Sequence, residues 1–111
     1  MDIATIKSYT DLEQSKKLAE ILPIESADMF YRNNGIDVKL MWEHTAQKVE
    51  SPCWSLAALM DVLDRGALFK TPQGWACQSY IEYEAITSNY YSNPIDAVFE
   101  MIVLLKENGK L

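Results

Sequence analysis

The sequence predicts an α+β domain of two layers: a four-stranded, mainly antiparallel sheet made of two hairpins, with three helices mostly on one face, in the order α-ββ-α-ββ-α. Three observations predict it. Two stretches alternate apolar and polar residues with a turn signal beside each, and three stretches carry apolar residues at helical spacing between cap residues. Hairpins rather than single strands between helices favour an antiparallel sheet covered on one side.

The first helix is expected from Thr10 to Leu22. Thr10, Asp11, Leu12 and Glu13 read as a capping box, in which the Thr10 hydroxyl accepts from the Glu13 amide and Glu13 reaches back. Acidic residues then lie near its start and Lys16 and Lys17 further on, the order the helix dipole favours. Pro23 stops it.

Asn34-Gly35 precedes the clearest strand, in which Ile36, Val38, Leu40 and Trp42 alternate with Asp37, Lys39, Met41 and Glu43. A two-residue loop at Asn34-Gly35 would place Arg32 opposite Asp37, Tyr31 opposite Val38, Met29 opposite Leu40 and Ala27 opposite Trp42. That register brings the apolar sets of both strands to one face. Residues 45 to 50 read as a connector.

Ser51-Pro52 is expected to open the second helix, with Leu56, Leu59, Met60 and Leu63 as its buried stripe and Gly66 as its stop. The second hairpin turns at Thr71-Pro72-Gln73-Gly74. Beyond it Trp75, Cys77, Ser79, Ile81 and Tyr83 form the expected buried face, and the segment from Ile86 to Ser92 is readable as either strand or loop. Asn93-Pro94 caps the third helix, with Val98, Met101, Ile102 and Leu105 as its stripe and Asn108-Gly109 as its end.

The 111 residues suit a single domain, 1–111. An apolar fraction of 49% and a charged fraction of 23% suit a packed core rather than disorder. The net charge of −6 makes broad contact with nucleic-acid phosphates or an anionic membrane unfavourable. No leader-like run and no bilayer-length apolar stretch is legible, so the expected compartment is the cytoplasm, with Cys53 and Cys77 reduced.

Three stretches carry a resemblance. They are Tyr9 to Pro23 continuing through Glu25-Ser26-Ala27-Asp28-Met29, then Pro52-Cys53-Trp54-Ser55-Leu56-Ala57-Ala58-Leu59, and Asn93-Pro94-Ile95-Asp96-Ala97. Over nearly its whole length the chain resembles a group of small uncharacterised proteins of Bacteroidales bacteria and their phages and mobile elements. The resemblance implies an accessory protein that interacts rather than catalyses, and it assigns no catalytic or binding residue.

Chemistry-bearing residues are sparse. Cys53, placed in the first turn of the second helix, and His44, the single histidine, are the candidate nucleophile and base of a small thiol hydrolase. Packing of Cys53 beside Trp54 and a solvated His44 is the plainer expectation. One histidine and two separated cysteines offer too few soft ligands for a metal site, and Asp61 and Asp64, one turn apart, read as a solvated helix face. No phosphate loop or dinucleotide fingerprint is present, so no cofactor is expected.

Tyr80, Tyr83, Tyr90 and Tyr91 are the candidate binding residues. Exposed tyrosines near a sheet face suit protein recognition. They can also stack bases, which makes single-stranded nucleic acid a weaker alternative against the acidic charge. The sheet face opposite the helices, expected to carry Tyr80, Gln78, Glu82, Asp37, Lys39 and Phe30, is either solvated or covered by a second copy in a homodimer. A non-enzymatic protein that acts by binding another protein is the leading expectation.

Overall fold

A computed structural model describes residues 7–32, 35–38 and 51–111. Among the described residues three α-helices, a short 3-10 turn (Ile24–Ser26) and two three-stranded antiparallel sheets make up an α+β structure. The helices are α1 (Leu12–Ala19), α2 (Leu56–Val62) and α3 (Pro94–Glu107). The first sheet joins β1 (Met29–Arg32), β2 (Gly35–Val38) and β3 (Ser51–Cys53) in the order β2-β1-β3. The second is a meander of β4 (Ala67–Thr71), β5 (Gly74–Ile81) and β6 (Glu84–Thr87).

The single four-stranded sheet is therefore corrected. Among the described residues each hairpin gains a third strand and stays in its own sheet. The two new strands come from segments read otherwise. Ser51-Pro52-Cys53, expected to begin a helix, is extended and pairs with β1, setting Met29 opposite Cys53 and Tyr31 opposite Ser51. The helix begins only after Ser55, whose hydroxyl accepts from the Ala58 amide at 3.2 Å and donates to Asp28. Proline at the second of three residues in an edge strand is compatible with this, because an edge residue need not donate to a ladder. The ambiguous segment after Ile86 remains strand to Thr87, where Gln78 faces Thr87, and then continues irregularly. Cys77 exchanges hydrogen bonds with Ser88, and Trp75 with Tyr91 at 2.7 and 2.8 Å. Two steps along β5 thus meet three on the other side, the signature of a β-bulge at Asn89-Tyr90.

The first hairpin pairs with a different register. Arg32 faces Gly35, Tyr31 faces Ile36, Phe30 faces Asp37 and Met29 faces Val38. Gly35 belongs to the strand, and each pairing shifts by two residues. Leu40, Trp42 and the pairings proposed for them lie outside the described residues. Phe30, expected on the outer face, is buried.

At the first helix the cap moves by one position. Asp11 accepts from the Gln14 amide at 2.7 Å, and the Gln14 side chain accepts from the Asp11 amide at 3.1 Å, so the capping box is Asp11/Gln14. Thr10 is withdrawn from capping because it is fully buried. Its amide donates to the Trp54 carbonyl, and its hydroxyl accepts from the Trp54 amide at 3.2 Å and bonds Ser15 at 2.7 Å.

The core lies between these elements. Ile95, Ala97, Val98, Met101, Ile102 and Leu105 of α3 are buried, and α3 packs along β5 with Cys77 beneath it. Leu59 and Leu63 of α2 join this core, with Leu56 and Met60 partly buried beside them. Helix α1 packs against β3 and contributes Leu18. Trp54, between β3 and α2, is the largest fully buried side chain among the described residues, and its indole N–H donates to Ser26 at 2.9 Å. At Gly74 a side chain has no room. Its φ is +130°, and a Cβ there would stand 2.5 Å from the Tyr91 carbonyl oxygen.

Candidate functional site

The sheet order fixes where the four tyrosines stand. On β5, Trp75, Cys77, Ser79 and Ile81 point toward α3, so Ala76, Gln78 and Tyr80 share the other face. Tyr80 is 42% exposed there, and the Arg65 guanidinium stacks over its ring at 4.7 Å from the centroid. Tyr83, expected to follow Ile81 into the buried face, instead sits in the two-residue turn from Ile81 to Glu84 and is 98% exposed. Its neighbour Glu82 takes a left-handed φ of +57°. The alternation simply ran past the point where the chain reverses.

The bulge sorts the remaining pair. Tyr90 is turned out to solvent at 49% exposure. Tyr91 is half-buried, and its hydroxyl donates to Glu100 at 2.9 Å, while Asn89 donates to the same carboxylate from both its amide and its side chain. Burial pushes the Tyr91 phenol up, and the Glu100 carboxylate adds to the shift. The structure thus gathers Tyr80 and Tyr83 at the β5–β6 hairpin, places Tyr90 on the bulge that continues β6, and engages Tyr91 in holding that bulge to α3.

Cys53 is not at a helix start. It lies on β3, fully buried, with its thiol donating to the Thr10 carbonyl at 3.4 Å and lying 3.6 Å from the Thr10 hydroxyl. Tyr31 donates to the same carbonyl at 2.7 Å. Burial pushes the Cys53 thiol up, against hydrogen bonds from Thr10 and Ser15 that favour the thiolate. An activated nucleophile needs the opposite shift and an open approach. His44 lies outside the described residues. Cys77 is also buried, which pushes its thiol up to about 11.

One polar cluster escaped the sequence reading. Lys7 bridges Asp11 at 3.0 Å and Asp96 at 2.8 Å, and Asp96 also accepts from Gln14 at 2.7 Å and from Asn93 at 2.9 Å. These residues join the starts of α1 and α3 at one end of a shallow cleft of about 610 Å³, with Tyr91, Phe99 and Lys17 also in its walls. No spacing in the sequence signals contacts between residues 82 and 89 positions apart. Burial alone would raise the Asp96 carboxyl, but the hydrogen bonds from Lys7, Asn93 and Gln14 outweigh it and hold the group below its ordinary 3.8. A carboxyl depressed in the folded state stabilises the fold above its unfolded pKa, near 4, and that contribution is lost as pH falls through the folded value. Asp96→Asn is therefore expected to destabilise the protein at pH 7 by about 1 kcal/mol, since Asp96 is partly exposed and solvent screens the pair. In urea titrations the difference from wild type should shrink as pH falls below the ordinary carboxylate range and the folded-state carboxylate takes up its proton.

Among the described residues no three of His, Cys, Asp and Glu are grouped as metal ligands. No helix among them is long and apolar enough to cross a membrane. No family model matches the chain, and neither the curated proteins nor the solved structures searched contain a match to it.

Proposed function

We propose that this chain is a non-enzymatic accessory protein that acts by binding another protein, with Tyr80, Tyr83 and Tyr90 in the contact. The observation that carries this reading is Tyr83, a large amphipathic side chain left 98% exposed at the tip of a hairpin whose β5 strand packs beneath α3. Tyrosine contributes contact area at low entropic cost and is enriched where interfaces bind tightly. Tyr80 and Tyr90 add two more exposed rings on the same sheet and its continuation. Tyr91 supports the site through Glu100. The resemblance to small proteins of Bacteroidales phages and mobile elements supplies the proposed setting, a cytoplasmic partner of an element-encoded or host protein. The thiol-hydrolase alternative has little support, given the buried Cys53.

The test is affinity capture from a lysate of the encoding cells, comparing wild type with a variant carrying Tyr80→Ala, Tyr83→Ala and Tyr90→Ala. The expected result is one stoichiometric protein that survives moderate salt on wild type and is lost from the variant, while both give the same circular dichroism spectrum. Equal retention by the two would move the contact away from these tyrosines.

A further inference from the structure

Strand β6 is an outer strand of the second sheet, and its far side is open among the described residues. The turn decides which backbone groups point to that side. The two-residue loop Glu82-Tyr83 makes Ile81 and Glu84 a hydrogen-bonded pair, and in an antiparallel ladder such pairs alternate with unbonded ones. Glu84 and Ile86 therefore direct their amides and carbonyls to β5. Ser88 is the next of that series, and its amide donates to the Cys77 carbonyl at 2.8 Å. Ala85 and Thr87 turn their amides and carbonyls outward, and neither has a hydrogen-bond partner there among the described residues. Both residues are exposed. Past them the Asn89 amide is already taken by the Glu100 carboxylate at 2.6 Å.

We infer that the bound protein contributes an extended segment that adds to β6 as a further strand, with lysine or arginine on the side toward α3 and apolar residues on the side toward Tyr80. The inference rests on the tyrosine reading of this site and gives its mode of binding. Donors and acceptors repeating about every 7 Å along a line match the backbone of another strand. Strand addition draws affinity from these main-chain bonds and specificity from alternate side chains.

The side chains select which strand. Tyr83 and Tyr90 stand at the two ends of the open stretch, and Tyr80 lies directly opposite Ala85, whose methyl group leaves a long apolar side chain on the added strand free to reach the ring. On the other face Glu84 lies beside Ile86, which packs on the core. Glu84 is exposed and has no ion pair among the described residues. Glu82 and Glu100 add carboxylates at the two ends of the stretch, the first 3.7 Å from Lys110. Like charges directly across a strand pair are unfavourable and opposite charges favourable. A second copy would bring its own Glu84 and a charge of −6 to this edge, so the carboxylates admit a basic strand and disfavour the chain's own.

Backbone amide exchange, read residue by residue by NMR, tests the inference with a defined probe, a short end-blocked peptide of alternating lysine and valine at up to about 2 mM. In the free protein the Ala85 and Thr87 amides should exchange fast and the Ile86 amide slowly. With the peptide, Ala85 and Thr87 should slow by about tenfold, while the same peptide with glutamate in place of lysine should leave them unchanged. Ala85→Pro and, separately, Thr87→Pro remove one outward donor without touching the β5 ladder, a change an edge strand accepts. Each should weaken peptide binding by about tenfold with unchanged circular dichroism. Glu84→Gln, which leaves the backbone alone, should weaken it by about threefold. Unchanged exchange at Ala85 and Thr87, equal protection by the two peptides, or protection that rises with protein concentration and needs no peptide would each overturn the inference, the last by putting a second copy on the edge. A captured partner lost from both proline variants but held by the variant lacking Tyr80, Tyr83 and Tyr90 would sink the tyrosine reading alone. The reverse pattern would sink strand addition alone.

Discussion

Trp54→Ala is expected to lower the stability of the protein by about 3 to 5 kcal/mol, the range for removing a large aromatic side chain from a core. Trp54 is fully buried, and three parts of the chain meet on it. Its backbone exchanges hydrogen bonds with Thr10, its indole N–H donates to Ser26 at 2.9 Å, and its side chain belongs to the same core cluster as Leu18 and Ala27. Substitution leaves a cavity and a Ser26 hydroxyl without its donor. Domains of this size are stable by roughly 5 to 15 kcal/mol, so about a fifth or more of the total is at stake. Urea denaturation followed by circular dichroism measures it, and a loss below about 1 kcal/mol would mean that the joint between β3 and α2 is not a core position.

Leu59→Ala follows at about 2 to 5 kcal/mol. Leu59 is fully buried on α2, which packs against α3, and Leu63 lies one turn further along the same stripe. The spread depends on how far α2 can settle into the vacated space. Seven residues is a short helix held mainly by tertiary packing, so the upper part of the range is expected. Asp61→Ala, two residues away on the exposed side, supplies the control, with an expected change within about 0.5 kcal/mol. Equal effects at the two positions would mean that α2 faces the other way.

Periodicity and caps were legible wherever structure is local. The stripe Val98, Met101, Ile102 and Leu105 is buried, and Asn93 caps α3 by accepting from the Asp96 amide at 2.9 Å. The Thr71–Gly74 turn joins β4 to β5 with Thr71 opposite Gly74. What failed required knowledge of distant partners. Ser51-Pro52 fits a helix start by local rules, but pairing with β1 draws it into a strand. Thr10 and Asp11 are both good caps, and only the burial of Thr10 against Trp54 selects Asp11. Tyr83 continues an alternating pattern, and nothing in Ile81-Glu82-Tyr83-Glu84 advertises a turn, because Glu82 holds a positive φ that asparagine or glycine would ordinarily supply. Exposure of Tyr80 was readable from alternation. The roles of Tyr90 and Tyr91 rest on a bulge, which no periodicity reveals.

Amide hydrogen exchange on the complex with the captured partner tests most directly whether the β5–β6 hairpin and the bulge after it carry the proposed protein contact. Peptides spanning Tyr80 to Tyr90 should exchange more slowly in the complex than in the free protein, with α1 and the Lys7–Asp96 cluster unchanged. Slowing confined to α1 or to the cleft beside Phe99, with the hairpin exchanging as before, would contradict the account and move the contact to the other side of α3.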